Sequence, residues 1–159
     1  MVGLGGAGAG WAGFAGAGFE GAGSAGADDD SIVLAVVGAH LRGQPLNWQL
    51  TQRNAEFLGA AKTGNGYSLY ALQGTVPPKP GLARDEGPGG IELELWKLSP
   101  AAFGTFVAEI PAPLGIGSVE LDDGRAVKGF LCEAYALNGA RNITAFGGWR
   151  AYRSAASAA

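Results

Sequence analysis

Read as a run of apolar and polar positions, the chain changes character near Ser31. Residues 3–27 are almost all Gly and Ala and carry neither a helical nor a strand period, with Trp11, Phe14 and Phe19 recurring at a loose interval. Glycine loses more backbone freedom on ordering than any other residue, so residues 1–30 are expected to form a flexible tail. The patterned part is 31–153, and 154–159 reads as a disordered end. Ile32 to Val37 is a continuous, β-branched apolar run, which predicts a buried strand. Gly38-Ala39-His40-Leu41 and Arg42-Gly43-Gln44-Pro45 then predict a tight turn. Asn47 is placed to cap a helix over about 48–61, with Leu46, Leu50, Phe57 and Leu58 on its inner side.

Tyr67 to Leu72 predicts a second strand. Pro77, Pro78 and Pro80 lack N–H donors, so Thr75 to Leu82 is expected to be an extended loop, with a polar connection over 83–89. Ile91 to Leu98 alternates apolar and polar residues, the mark of a strand with one wet face. Ser99-Pro100 predicts an N-cap followed by proline in the first turn of a short helix ending near Ala108. Pro111 to Gly117 reads as another loop. Ser118–Leu121 and Ala126–Leu137 are expected to pair as strands around an Asp122-Asp123-Gly124 turn. Ile143 to Tyr152 predicts a loop and a short helix packed back on the domain.

Composition narrows the function classes. The formal net charge is -3. Glu20 and Asp28 to Asp30 put four of the 14 acidic residues in the first thirty positions, which contain no Lys or Arg, so the remainder is near neutral. Neither part has the basic excess of a nucleic-acid binder. A single cysteine, Cys132, excludes an intrachain disulfide and fits a reducing cytoplasm. One Cys and one His cannot build a structural zinc site. No metal and no cofactor are expected. No apolar run is long enough for a membrane span, and the N-terminus lacks a signal-peptide pattern.

Few residues offer chemistry. His40, the single histidine, follows the first strand at a turn, where an imidazole with an ordinary pKa near 6.5 can exchange a proton near neutrality. On position alone a hydrogen-bonded structural role is the plainer alternative. Glu109 falls where the 100–108 helix ends, and a partly desolvated carboxylate there would serve as a base; a solvated surface carboxylate is the alternative. Lys79, Lys128, Arg141 and Arg150 lie beside loops or aromatic segments and offer charge to a small anion. Cys132 reads as a core thiol and Glu133 as a structural carboxylate. Ser118 has no second histidine and no G-x-S-x-G setting, and no amidase signature is present.

Several motifs together resemble the C-terminal domain of allophanate hydrolase over about residues 32–152. They are Gly38-Ala39-His40-Leu41 with Pro45-Leu46-Asn47, Gly74 to Leu82, Ile110 to Gly117 with Val119-Glu120-Leu121, Val127 to Glu133, and Ile143 to Arg150, in the family's order and spacing. The resemblance implies an α+β, gamma-glutamylcyclotransferase-like fold: a small, mostly antiparallel β-barrel with flanking short helices. In that wider group a Tyr-Gly-x-Leu-like turn holds the substrate. Val37 stands here in place of the tyrosine, which argues against cyclotransferase activity.

The resemblance also implies a place in urea and allophanate breakdown. The family's amidase domain releases ammonia and leaves N-carboxycarbamate, and the C-terminal domain is assigned its decarboxylation and a part in assembly. This chain is then expected to work as a stand-alone domain beside a separate amidase. In that role His40 and Glu109 are the catalytic candidates, and Gly38, Ala39, Leu41, Lys79 and Lys128 the substrate-binding ones. The partners implied are a small anionic, carbamate-like substrate, an amidase, and a second copy in a homodimer. A non-catalytic assembly module is the competing reading. A flat apolar face of Trp96, Phe130 and Trp149 would favour it, whereas a groove at 38–42 faced by Glu109 would favour an enzyme.

Overall fold

The central strand forms where the sequence is most apolar. Ile32–Val36 is β1; it has hydrogen-bonded neighbours on both sides, so neither of its edges is open, and Leu34, Ala35 and Val36 are buried. In this computed structural model, which describes residues 29–158, β1 pairs antiparallel with β5 (Glu92–Leu98) and parallel with β7 (Ala126–Cys132). β2 (Glu56–Lys62) and β6 (Leu114–Glu120) complete a five-stranded sheet in the order β2-β5-β1-β7-β6. β3 (Tyr67–Ala71), β4 (Pro80–Arg84) and β8 (Arg141–Asn142) form a second sheet in the order β4-β3-β8. The fold is α+β, and all pairings but β1–β7 are antiparallel. The strands hydrogen-bond as two sheets and do not close into the single barrel expected. Leu34, Val36, Leu50, Leu69, Leu93 and Ile143 are completely or almost completely enclosed in one core. Each such side chain contributes roughly 1.5–3 kcal/mol relative to exposure.

Several elements differ from the pattern-based expectation. The helix placed over 48–61 is only one turn, α1 (Trp48–Thr51), and Glu56–Lys62 is the edge strand β2. Asn54 takes a left-handed conformation, φ 59°, which ends the helix and redirects the chain. Asn47 does not cap α1 with its side chain; its Nδ2 donates instead to the His40 carbonyl at 2.8 Å. The loop over 75–82 stops at Lys79, because Pro80 starts β4. β4 is an edge strand paired only with β3, so the missing proline N–H leaves no ladder bond open. β6 begins at Leu114, four residues before the position expected. β7 ends at Cys132, and a 3₁₀ turn over Ala134–Leu137 replaces its expected continuation.

α2 (Pro100–Ala108) starts as its sequence dictates: Ser99 Oγ accepts from the Ala102 amide at 3.1 Å, and Pro100 occupies the first turn. α3 (Trp149–Ala158) begins at the buried Trp149 and runs through 154–158, which are helical rather than a disordered end. Of the tail expected over 1–30, residues 1–28 lie outside the described residues. No helix among the described residues is long and apolar enough to cross a membrane.

Candidate functional site

The turn after β1 is built to hold one side chain. Gly38 lies against β4: a Cβ there would come within 2.2 Å of Pro80 Cδ, so only glycine fits between the two sheets. Leu41 N donates to Gly38 O at 3.0 Å, Leu46 N to Ala39 O at 2.8 Å, and Asn47 to His40 O. From the far side the buried Glu94 of β5 grips the same turn. Its Oε1 accepts from the Arg42 amide at 2.8 Å, and its Oε2 from Arg42 Nε at 3.2 Å and Arg150 Nη2 at 2.7 Å. Arg150, at the start of α3, also donates to the Arg42 carbonyl at 2.8 Å. Burial alone would raise the Glu94 pKa, but the Arg42 amide, Arg150 and the Arg42 side chain outweigh it and hold the carboxyl below its ordinary value. An ionised, fully partnered Glu94 therefore fixes residues 38–42 from behind.

His40 is 9 % exposed and sits between two aromatic rings, stacked on Phe130 of β7 at 5.1 Å and edge-on to Phe106 of α2 at 5.0 Å. Its Nε2 lies 2.7 Å from Gln49 Oε1, so that nitrogen carries the proton and Nδ1 of the neutral ring is left as an acceptor. Burial lowers the His40 pKa from 6.5 to about 4; the hydrogen bond to Gln49 opposes the shift, and the charges of Lys79 and Arg53 add to it. The ring of the free protein is thus neutral at pH 7. The proton exchange near neutrality expected of an ordinary imidazole is moved to lower pH, because Phe106 and Phe130, far away in sequence, pack against the ring and keep it dry.

His40 opens onto a cleft of about 210 Å³ whose lining includes Gln49, Lys79, Phe106, Glu109 and Phe130. Two residues singled out as catalytic candidates, His40 and Glu109, therefore share one cavity, and Lys79 joins them. Among the described residues the Lys79 ammonium forms no ion pair, although its charge reaches His40. Glu109 terminates α2, and its carboxylate, about half exposed, pairs with Arg53 at 3.0 Å. It is a paired, half-exposed carboxylate, which is the solvated surface position its sequence setting favours, and not a desolvated one. Gly38 and Ala39 line a small recess beside the cleft, also bounded by His40 and Lys79. Leu41 is fully enclosed in the core, with its amide engaged by Gly38, and Lys128 is exposed outside both linings; neither sits where a cleft ligand would lie.

Sequence reasoning missed Gln49, Arg53, Phe106 and Phe130. Gln49 and Arg53 were hidden inside a helix expected to continue to residue 61, Phe106 stood out in no pattern, and Phe130 was read as part of an apolar face. Trp96, Phe130 and Trp149 are all buried, so they make no flat exposed face. Among the described residues no three His, Cys, Asp or Glu side chains gather as metal ligands. The arrangement offers a neutral imidazole, an ammonium that forms no ion pair among the described residues and an ion-paired carboxylate around a small cleft with apolar walls, which suits a small anion exchanging a proton.

Comparison with known proteins agrees in sequence and in structure. Residues 32–154 match the family described as the allophanate hydrolase C-terminal domain. The chain is 50% identical over 129 residues to the urea amidolyase of Lachancea kluyveri, covering 78% of this chain and 7% of that protein. Among solved structures, the allophanate hydrolase of Kluyveromyces lactis is 48% identical with a TM-score of 0.74, over 79% of this chain and 21% of that one. A uropathogenic E. coli-specific protein is 32% identical with a TM-score of 0.72, over 78% of this chain and 96% of that one. This chain thus spans a small fraction of the curated relatives and nearly the whole of the E. coli chain. By sequence and by fold, it belongs to the allophanate hydrolase C-terminal domain family.

Proposed function

We propose that this chain works as a stand-alone domain that decarboxylates N-carboxycarbamate, the product an amidase leaves from allophanate, in urea breakdown. The observation that carries this reading is the meeting of His40, Lys79 and Glu109 in one cleft from three separate stretches of chain. The E. coli chain, nearly all of which this domain covers, supports a domain of this kind existing by itself. The reaction requires one proton: the N–C bond breaks, its electrons stay on nitrogen, CO2 leaves, and the protonated nitrogen completes carbamate. Lys79 supplies the charge that draws the dianion in. The arriving negative charge offsets the cations that depress His40, so the ring takes up a proton on binding and donates it to nitrogen. Glu109, at the solvent side, passes the replacement proton inward.

The test is CO2 release in stopped flow, with allophanate and an amidase domain lacking its own C-terminal domain, with and without this protein. Faster CO2 release with an unchanged ammonia step is expected. His40→Ala should remove the effect, and Glu109→Gln should reduce it by about 10²-fold or more, the usual weight of a proton-transfer group. No acceleration by the unmodified protein would overturn the reading. Binding of the amidase without any change in CO2 release would establish the assembly role instead.

A further inference from the structure

The Arg53–Glu109 pair is asymmetric in a way an ordinary surface ion pair is not. Arg53 is fixed and mostly enclosed: its side chain is 14% exposed, its Nε donates to Thr105 Oγ1 at 2.9 Å and its Nη1 to Gln49 O at 3.0 Å, and its guanidinium lies 5.7 Å from the Phe106 ring centre. Its remaining nitrogen, Nη2, points to Glu109 Oε2 at 3.0 Å. The Glu109 side chain is 56% exposed and ends a helix, so it can leave without disturbing packing. Glu109 is also the one residue common to the His40 cleft and a second cavity of about 370 Å³, lined by Trp48, Gln52, Arg53 and Glu109. Arg53 does not line the His40 cleft, yet its charge reaches the imidazole.

We infer that Arg53 is a second carboxylate-binding group, masked in the free protein by Glu109, and that a small dicarboxylate enters by displacing the Glu109 side chain. Lys79 takes one carboxylate and Arg53 the other, through the Nη2 donor that Glu109 now occupies. Glu109 acts as a built-in competitor that leaves when a ligand with two negative ends arrives; a monocarboxylate satisfied by Lys79 has no second end to exchange. This inference rests on the proposed decarboxylation for its choice of substrate class, but its geometry concerns binding alone. It makes Arg53 a specificity residue for dianions and frees Glu109 at the moment a proton has to be relayed.

Malonate is the probe, because it replaces the N–H of N-carboxycarbamate by CH2 and is not expected to turn over. Calorimetric titration of the full chain with malonate and with acetate should show clear preference for malonate. Arg53→Gln should weaken malonate about tenfold or more, as loss of a hydrogen bond to a charged group does, and leave acetate unchanged. Glu109→Gln, which leaves Arg53 in place, should tighten malonate about two- to fivefold, the worth of an exposed competing pair. A crystal structure with malonate should show it on Arg53, with Glu109 turned away. Malonate in the cleft with the Arg53–Glu109 contact intact overturns the inference, as does an unaltered malonate affinity in Arg53→Gln or no malonate binding at all. Malonate held by Arg53 without any acceleration of CO2 release would leave this inference standing and remove the decarboxylation reading.

Discussion

His40 illustrates how neighbours set the chemistry of a single residue. An imidazole between two phenylalanine rings, with one nitrogen committed to Gln49, resists charging, and its pKa falls to about 4. In the unfolded chain the same ring binds a proton near 6.5. Below that value the unfolded state holds more protons than the folded state, so stability falls as the pH drops from about 6.5 towards 4. The ring is buried, so the linkage converts with little screening: about 2 kcal/mol is lost by pH 5. Glu94 also favours the folded state when ionised, but with its pKa held low that contribution is lost only at more acidic pH. Urea denaturation from pH 7.5 to 5 should show this slope in the natural protein, and His40→Gln should flatten it. An equal slope in both proteins would show that His40 is not the group responsible.

At the scale of elements, the helix α3 matters less for its length than for Arg150, which joins α3 to β5 and to the His40 turn through Glu94, Glu92 and the Arg42 carbonyl. Arg150→Ala leaves Glu94 with the Arg42 amide and side chain and with Trp96 Nε1 at 3.4 Å, and should cost about 1.5–3 kcal/mol, measured by urea denaturation, because it removes a hydrogen bond to a buried charge. It should also loosen the turn, seen as faster amide exchange at Leu41 and Arg42. A variant as stable as the natural protein would mean that Arg42 and Trp96 suffice. Much at this scale was legible: the β-branched run gave β1, the alternation gave β5, though not the wet face it implied, because Glu94 is buried, and Ser99-Pro100 gave the start of α2. β2 was not, because Leu50, Phe57 and Leu58 share a helical spacing and nothing local announces that Asn54 turns left-handed. β4 was not, because proline forbids a central strand but tolerates an edge, and edge status is a property of the whole sheet. The site was half legible for the same reason. His40 and Lys79 lie in the motifs and Glu109 marks the end of a helix the sequence announces, whereas Gln49, Arg53, Phe106 and Phe130 acquire their roles only where distant elements meet.

At the scale of the whole molecule, the cleft exists because two sheets come together beside the turn after β1. Gly38 ends the approach of the five-stranded sheet, and Pro80 opens β4 of the three-stranded one, with Lys79 directly before it and His40 two residues after Gly38. The contact that sets the spacing of the sheets therefore also sets the spacing of the cleft's ammonium and imidazole. Gly38→Ala tests this coupling. Its new methyl would collide with the Pro80 ring, which cannot rotate aside as a flexible side chain can. Overpacking of this kind costs about 1–3 kcal/mol, and the rigid neighbour puts this case at the upper end. Relief requires β4 to move away from the turn, carrying Lys79 with it. Gly38→Ala should therefore lose malonate affinity under conditions where it remains fully folded, beyond anything its lower stability explains. Lys79→Met should lose affinity with no comparable fall in stability. If Gly38→Ala is destabilised yet binds malonate normally, the seam between the sheets and the geometry of the cleft are independent, and Lys79 reaches its ligand from a loop that does not depend on Pro80.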